Sequence, residues 1–200
     1  MFNIVVITPE INHPLEAQIL SALVLDHDCI IHIRKPHFGI NEYKEYLLKN
    51  DKLTTQFVLH EHHSLAKEFP VKGIHLKEKD KNQVTDYPIN IKIISTSLHV
   101  VEDANKLKYP FEYVFFSPLF ESISKQNYGS NTTQEMLKET VLGLKQNTKI
   151  PIIGLGGINK ENIVWVKNSR FDGAAILGAI WQSEDPLKTF KEIASKVQEF

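Results

Sequence analysis

Gly154-Leu155-Gly156-Gly157-Ile158-Asn159 is the stretch on which the reading of this chain turns. The apolar run before it, residues 151–155, reads as a strand, and Asn159 reads as the cap of a following helix. Glycines at such a turn let the backbone approach a ligand and present N–H groups. The chain then makes one more strand-like run, 172–177, followed at once by Gly178-Ala179-Ile180-Trp181. In a (β/α)8 barrel, the loops after strands seven and eight and the start of a short extra helix form a phosphate site. The plainer alternative is a pair of tight turns, since every βα unit must turn. No Gly-Lys-Ser/Thr follows, so this is not a Walker loop.

Working outward, the same alternation runs back to the N-terminus. Strand-like runs lie at residues 3–8, 29–33, 56–59, 73–76, 91–96 and 113–116. Helical patterns separate most of them: 14–25 with Leu15, Ile19 and Leu23, 41–48 with Tyr43, Tyr46 and Leu47, then 62–69 and 100–107. A further helix at 132–145 opens with a capping box of Thr132 and Glu135. Asp185-Pro186 opens a last one carrying Leu187, Phe190, Ile193 and Val197. Strands alternating with helices argue for an α/β fold with a parallel sheet. Eight units in 200 residues predict a compact (β/α)8 TIM barrel, with residues 1–200 as a single domain. An open doubly wound sheet is the alternative. The polar, turn-rich residues 126–133 read as a long loop at the C-end of strand six, where function tends to sit.

Composition removes several classes. Lys+Arg number 23 against 24 Asp+Glu, a net charge of -1, so no global attraction draws the chain to nucleic acid or an anionic membrane. No apolar run approaches the roughly 20 residues of a membrane span. Met1-Phe2-Asn3 lacks the basic start of a signal peptide. Cys29 is the only cysteine, which rules out an internal disulfide and points to a reducing, cytoplasmic setting.

Polar residues gather at strand C-ends, which converge on one mouth in a barrel. They are His32-Ile33-Arg34-Lys35, His60-Glu61-His62-His63, His75 with Asp80 beyond it, and Ser95-Thr96-Ser97-Leu98-His99. Alternation decides which of them face the mouth. His99, behind a hydroxyl-rich turn, is the candidate for proton transfer near neutral pH. The His60–His63 run lacks the His-Glu-x-x-His spacing, and adjacent residues of an extended chain point opposite ways, which argues against a dedicated zinc site there. Glu61 and Asp80 could share Mg2+ if a diphosphate were present. Ser122, Ser124 and Lys125, past strand six, could bind a small anion.

These residues together resemble the thiamine phosphate synthase/TenI family over nearly the whole chain. Ile31-His32-Ile33-Arg34 is similar to its Gln-Leu-Arg-Glu-Lys stretch, Gly73-Ile74-His75-Leu76 to Gly-Val-His-Leu, and Ser97-Leu98-His99 to Ser-Thr-His. Ser117-Pro118-Leu119-Phe120-Glu121-Ser122-Ile123-Ser124-Lys125 resembles Gly-Pro-Ile-Phe-Pro-Thr-x-Thr-Lys, and the last two strands with their glycines match in order. The resemblance implies a (β/α)8 barrel that binds a small phosphorylated thiazole. It implies no nucleic-acid or membrane partner, and leaves a homodimer open.

Two activities occur in that family. The synthase couples hydroxymethylpyrimidine diphosphate to thiazole phosphate with Mg2+. The TenI-type tautomerase aromatises a thiazole carboxylate phosphate by moving a proton and needs no cofactor. By position, the resemblance places His32, Arg34, Ser97 and Lys125 around the pyrimidine diphosphate, and Asp80 with Glu61 at Mg2+; His60 is a further candidate substrate contact. Ser122, Ser124, Gly156, Gly157, Leu177 and Gly178 fall around the thiazole phosphate. Several positions depart from the synthase pattern. Pro36 replaces a lysine, with Lys35 one position earlier, and His60-Glu61 replaces Asn-Asp. These departures favour the tautomerase reading, with His99 moving the proton and Arg34 pairing with the substrate carboxylate. The synthase is the alternative, and a non-catalytic binder of thiazole or thiamine phosphates the second.

Overall fold

The computed structural model describes residues 2–81, 91–120 and 132–198. Eight parallel strands follow one another around a closed barrel: β1 (Asn3–Ile7), β2 (Ile30–Ile33), β3 (Phe57–Leu59), β4 (Gly73–Leu76), β5 (Ile93–Leu98), β6 (Tyr113–Phe116), β7 (Ile152–Leu155) and β8 (Gly173–Ile176). β1 pairs with β8 through Asn3↔Gly173 to Val6↔Ile176, which closes the cylinder. The open doubly wound sheet is thereby excluded. Among the described residues no helix is long and apolar enough to cross a membrane.

Around the strands lie α1 (Glu16–His27), α2 (Ile40–Lys49), α3 (Gln134–Asn147), α4 (Ile163–Asn168), α5 (Gly178–Trp181) and α6 (Pro186–Gln198). The expected helices at 62–69 and 100–107 are instead single 3-10 segments, His63–Lys67 and Val101–Lys106. The start of α3 also differs from expectation. Thr133 caps it, its hydroxyl accepting from the Met136 amide at 3.2 Å, while the Thr132 hydroxyl donates to the Leu119 carbonyl at 2.7 Å. Asp185 opens α6 as expected, its carboxylate accepting from the Lys188 amide at 3.0 Å.

Strand alternation divides the core in two. Residues such as Ile31, Ile33, Leu59, Ile74 and Val114 pack outward against Leu20, Leu23, Tyr43 and Leu47 of the helices. Val5, Ile7, Val58, Ile93, Tyr113, Phe115, Ile153 and Ala175 fill the barrel interior. At the base a Cβ on Gly73 would lie 2.2 Å from the Ile93 carbonyl oxygen, so only glycine fits that approach.

Lys35 is the exception in the outer layer. It follows the inward-facing Arg34, so alternation turns it away from the mouth. Its ammonium is fully buried, 2.8 Å from the Glu16 carboxylate and 2.7 Å from the Pro9 carbonyl. The Tyr46 hydroxyl donates to the same carboxylate at 2.6 Å. Burial lowers the lysine pKa, and the Glu16 contact opposes that shift. Lys35 therefore pins α1 to β2 and is not available to stand in for a mouth lysine at position 36.

Removing one partner of a buried ion pair strands the other. Lys35→Met should destabilise the fold by about 3–5 kcal/mol. Adding Glu16→Leu should restore much of the loss, as measured by urea denaturation. A neutral single variant would show that the pair does not hold α1 in place.

Candidate active site

At the C-terminal end of the barrel lies a cavity of about 570 Å³. Its wall follows from period two. Arg34 stands two past His32 on β2, Lys77 two past His75 on β4, and His99 two past Ser97 on β5. Ser117 stands two past Phe115 on β6, and Leu177 two past Ala175 on β8. Arg34, His60, His75, Lys77, Ser97, His99, Phe115, Ser117 and Leu177 all line the cavity, with Ile7, Leu155 and the loop residues Glu61 and Gly156. One side is charged and imidazole-rich, while the β7–β8–β1 side is apolar.

Arg34 is not a free cation. Its guanidinium is ion-paired with Glu10, just past β1, and that hydrogen bond holds the Glu10 carboxyl below its ordinary pKa. Sequence reading missed Glu10, although an acid directly after a barrel strand was the signal available. Glu61 accepts a hydrogen bond from the Lys35 amide at 3.1 Å. Burial raises its pKa, while that hydrogen bond and the charges of Lys77 and Arg34 oppose the rise. Asp80, on the 3-10 turn Glu78–Asp80, does not line the cavity, so the two suggested metal carboxylates do not share its wall.

His99 is half-exposed at the rim. Its Nδ1 lies 2.7 Å from the Ser117 carbonyl oxygen, which only accepts, so Nδ1 carries the proton. The other ring nitrogen, Nε2, lies 3.7 Å from the Glu78 carboxylate. In the neutral ring Nε2 is the nitrogen that accepts a proton.

Beneath the rim three imidazoles meet. His32 is fully buried, its Nδ1 2.8 Å from His60 Nε2 and its Nε2 2.6 Å from the Tyr113 hydroxyl. His75 bonds the Ser95 hydroxyl through Nδ1 at 2.9 Å and the Ser97 hydroxyl through Nε2 at 3.1 Å. The His60 and His75 rings stack with centroids 4.2 Å apart. Burial drives the His75 pKa down to about 3 and holds His32 and His60 well below the ordinary value, neighbouring imidazoles adding to the effect. Of the suggested ligand contacts, His60 and Ser97 reach the cavity, while His32 lies under it.

On the opposite side, Gly156 and Leu177 line the cavity, whereas Gly157 and Gly178 do not. Gly156 has φ +102°, and a Cβ there would come within 3.1 Å of Pro118. The Phe120 amide donates to the Gly156 carbonyl at 3.1 Å, and the Trp181 indole donates to the Ile7 carbonyl at 2.7 Å, fixing α5 over β1. Ser122, Ser124 and Lys125 lie outside the described residues.

Comparison with known proteins identifies the lineage. Residues 4–180 match the model of the TMP-TENI family, described as thiamine monophosphate synthase. The chain belongs to this family. A relative from Clostridium tetani, named thiamine-phosphate synthase, is 27% identical over 183 residues, covering 88% of this chain and 85% of the relative. One of the same name from Listeria welshimeri is 31% identical over 153 residues, covering 72% of each chain. A crystal structure described as thiamine phosphate pyrophosphorylase from Bacteroides thetaiotaomicron has a TM-score of 0.76 and 30% identity, covering 99% of this chain and 98% of its own.

The buried His32 and His75 and the partly buried His60 carry a pH consequence. Their native pKa values lie below the unfolded value of 6.5, so below that pH the unfolded chain binds protons the native barrel refuses. Stability should be full above pH 6.5 and fall as the pH drops below it, for His75 down to about pH 3. Urea denaturation at several pH values across that window measures it, and a flat profile would refute neutral burial.

Proposed function

We propose that this protein is a thiamine-phosphate synthase, joining hydroxymethylpyrimidine diphosphate to thiazole phosphate at the barrel mouth. The observation that carries the reading is the charged wall, where Glu61 lies in the field of Lys77 and Arg34. The names of the relatives support this coupling reaction more directly than the tautomerisation that the sequence departures favour.

The chemistry demands such a wall. Negative charge builds on the diphosphate as it leaves, and preorganised cations stabilise it. Lys77 and Arg34 face that charge, with Lys125 assigned to it by family position. Glu61 supplies a hard oxygen donor, and Mg2+ favours one or two carboxylates combined with substrate phosphates over an all-protein cage. A divalent cation held there would offset the diphosphate charge. The thiazole phosphate is assigned to the Gly156–Leu177 side, with Ser122 and Ser124 assigned to it by family position only, and its ring to the apolar surface of Leu155, Leu177 and Ile7.

A second reading, thiazole tautomerase, is favoured by two observations. Lys35 is locked into the outer layer, leaving the wall one cation short of the family pattern. His99 stands at the rim with Nδ1 held by the Ser117 carbonyl, which leaves Nε2 as the nitrogen that can exchange a proton.

One assay separates the two. Purified protein given both coupling substrates should form thiamine phosphate only with Mg2+, and Glu61→Gln should lower the rate by about 100-fold or more. Absence of product, with turnover of the carboxylated thiazole phosphate that drops about 100- to 10,000-fold in His99→Ala, would replace the synthase with the tautomerase.

A further inference from the structure

We propose that His32, His60 and His75 form a site for one borderline transition-metal ion, Zn2+ or Co2+, on the floor of the mouth cavity. This site is separate from the oxygen ligand Glu61 and independent of which reaction the mouth performs.

The argument begins with placement. His32 and His75 lie on β2 and β4 and His60 directly follows β3 between them, and alternation turns all three side chains into the barrel. One ring nitrogen from each lies within 4.8 Å of those of the other two. A tetrahedral ion with bonds near 2.0–2.1 Å sets its nitrogen ligands about 3.4 Å apart, so side-chain rotation alone can gather them. His60 opens onto the cavity and has room to turn.

Two of the three rings have a hydroxyl partner on the nitrogen turned from the cluster. A ligating ring is oriented by a hydrogen bond on its other nitrogen. The Tyr113 hydroxyl holds His32 Nε2, leaving Nδ1 aimed at the cluster. The Ser95 hydroxyl holds His75 Nδ1, leaving Nε2 on the cavity side, where it meets Ser97. An ion would take the place of the proton that His32 and His60 now share at 2.8 Å.

Donor chemistry selects the ion. Imidazole nitrogen suits Zn2+ and its neighbours, whereas Mg2+ takes oxygen. Among the described residues no Cys, Asp or Glu joins the cluster. Three protein ligands leave a fourth position for water or a substrate atom, the form of catalytic rather than structural zinc sites. Since His60 and His75 line the cavity, that position faces the space the substrate would occupy.

The test uses the full chain without a histidine tag, stripped with chelator and titrated with zinc or cobalt chloride alone. About one ion per chain should survive desalting, and the cobalt form should show the visible absorption of a tetrahedral site. His60→Ala and His75→Ala should abolish this binding, and His99→Ala should retain it. Tyr113→Phe should weaken it by about 10- to 100-fold. If either alanine variant loses its native circular dichroism, His60→Gln, which keeps side-chain volume at the open side, takes its place. A wild-type chain that retains no stoichiometric ion, or binding that persists unchanged in His60→Ala or His60→Gln, would overturn the proposal.

Discussion

Closure of the sheet is the constraint from which the rest follows. Once β8 pairs with β1, every second side chain of all eight strands must share one interior. Interiors are packed nearly as densely as organic crystals, so these positions are filled jointly. The lower part is filled by Val5, Ile93 and Ile153, and Tyr113 and Phe115 reach up to the histidines. Higher up, between β2 and β5, the same rule brings in His32, His60, His75, Ser95 and Ser97, and the rim residues Arg34, Lys77 and His99 continue it.

A polar half-interior requires satisfied partners, because an unpaired polar group in a low-dielectric core is costly. The histidines meet this by remaining neutral and bonding to one another, to Tyr113 and to the serines. Neutral imidazoles keep the floor uncharged, so the charges at the mouth sit in a ring above it. Arg34 is balanced by Glu10, and Glu61 lies between Lys77 and Arg34. The apolar β7–β8–β1 side faces this ring, giving the cavity a charged wall and an apolar wall from a single alternation rule.

Much of the fold was legible in the residues. The bounds of β4 at Gly73–Leu76 and β6 at Tyr113–Phe116 coincide with the runs of apolar and β-branched residues. β5 does not coincide. It starts at Ile93, where register with Gly73 places it, and runs on through Ser97 and Leu98 because β6 pairs with them. Hydroxyl-rich residues carry a weak strand signal of their own, and the neighbouring strand overrides it.

The sequence by itself determined the order of strands, the polar residues gathered at their C-ends and the glycines at the ends of β7 and β8, while which of His32, His60 and His75 face inward came from the barrel. These are short-range properties, encoded within a few residues. Only the tertiary structure decided that Lys35 is held by Glu16, that Arg34 is held by Glu10, and that Asp80 stays off the cavity wall. It also decided that His32 meets a histidine 28 residues away and a tyrosine 81 residues away. Such partners are chosen by barrel register and by which loop folds over which strand end, and neither is written in local periodicity.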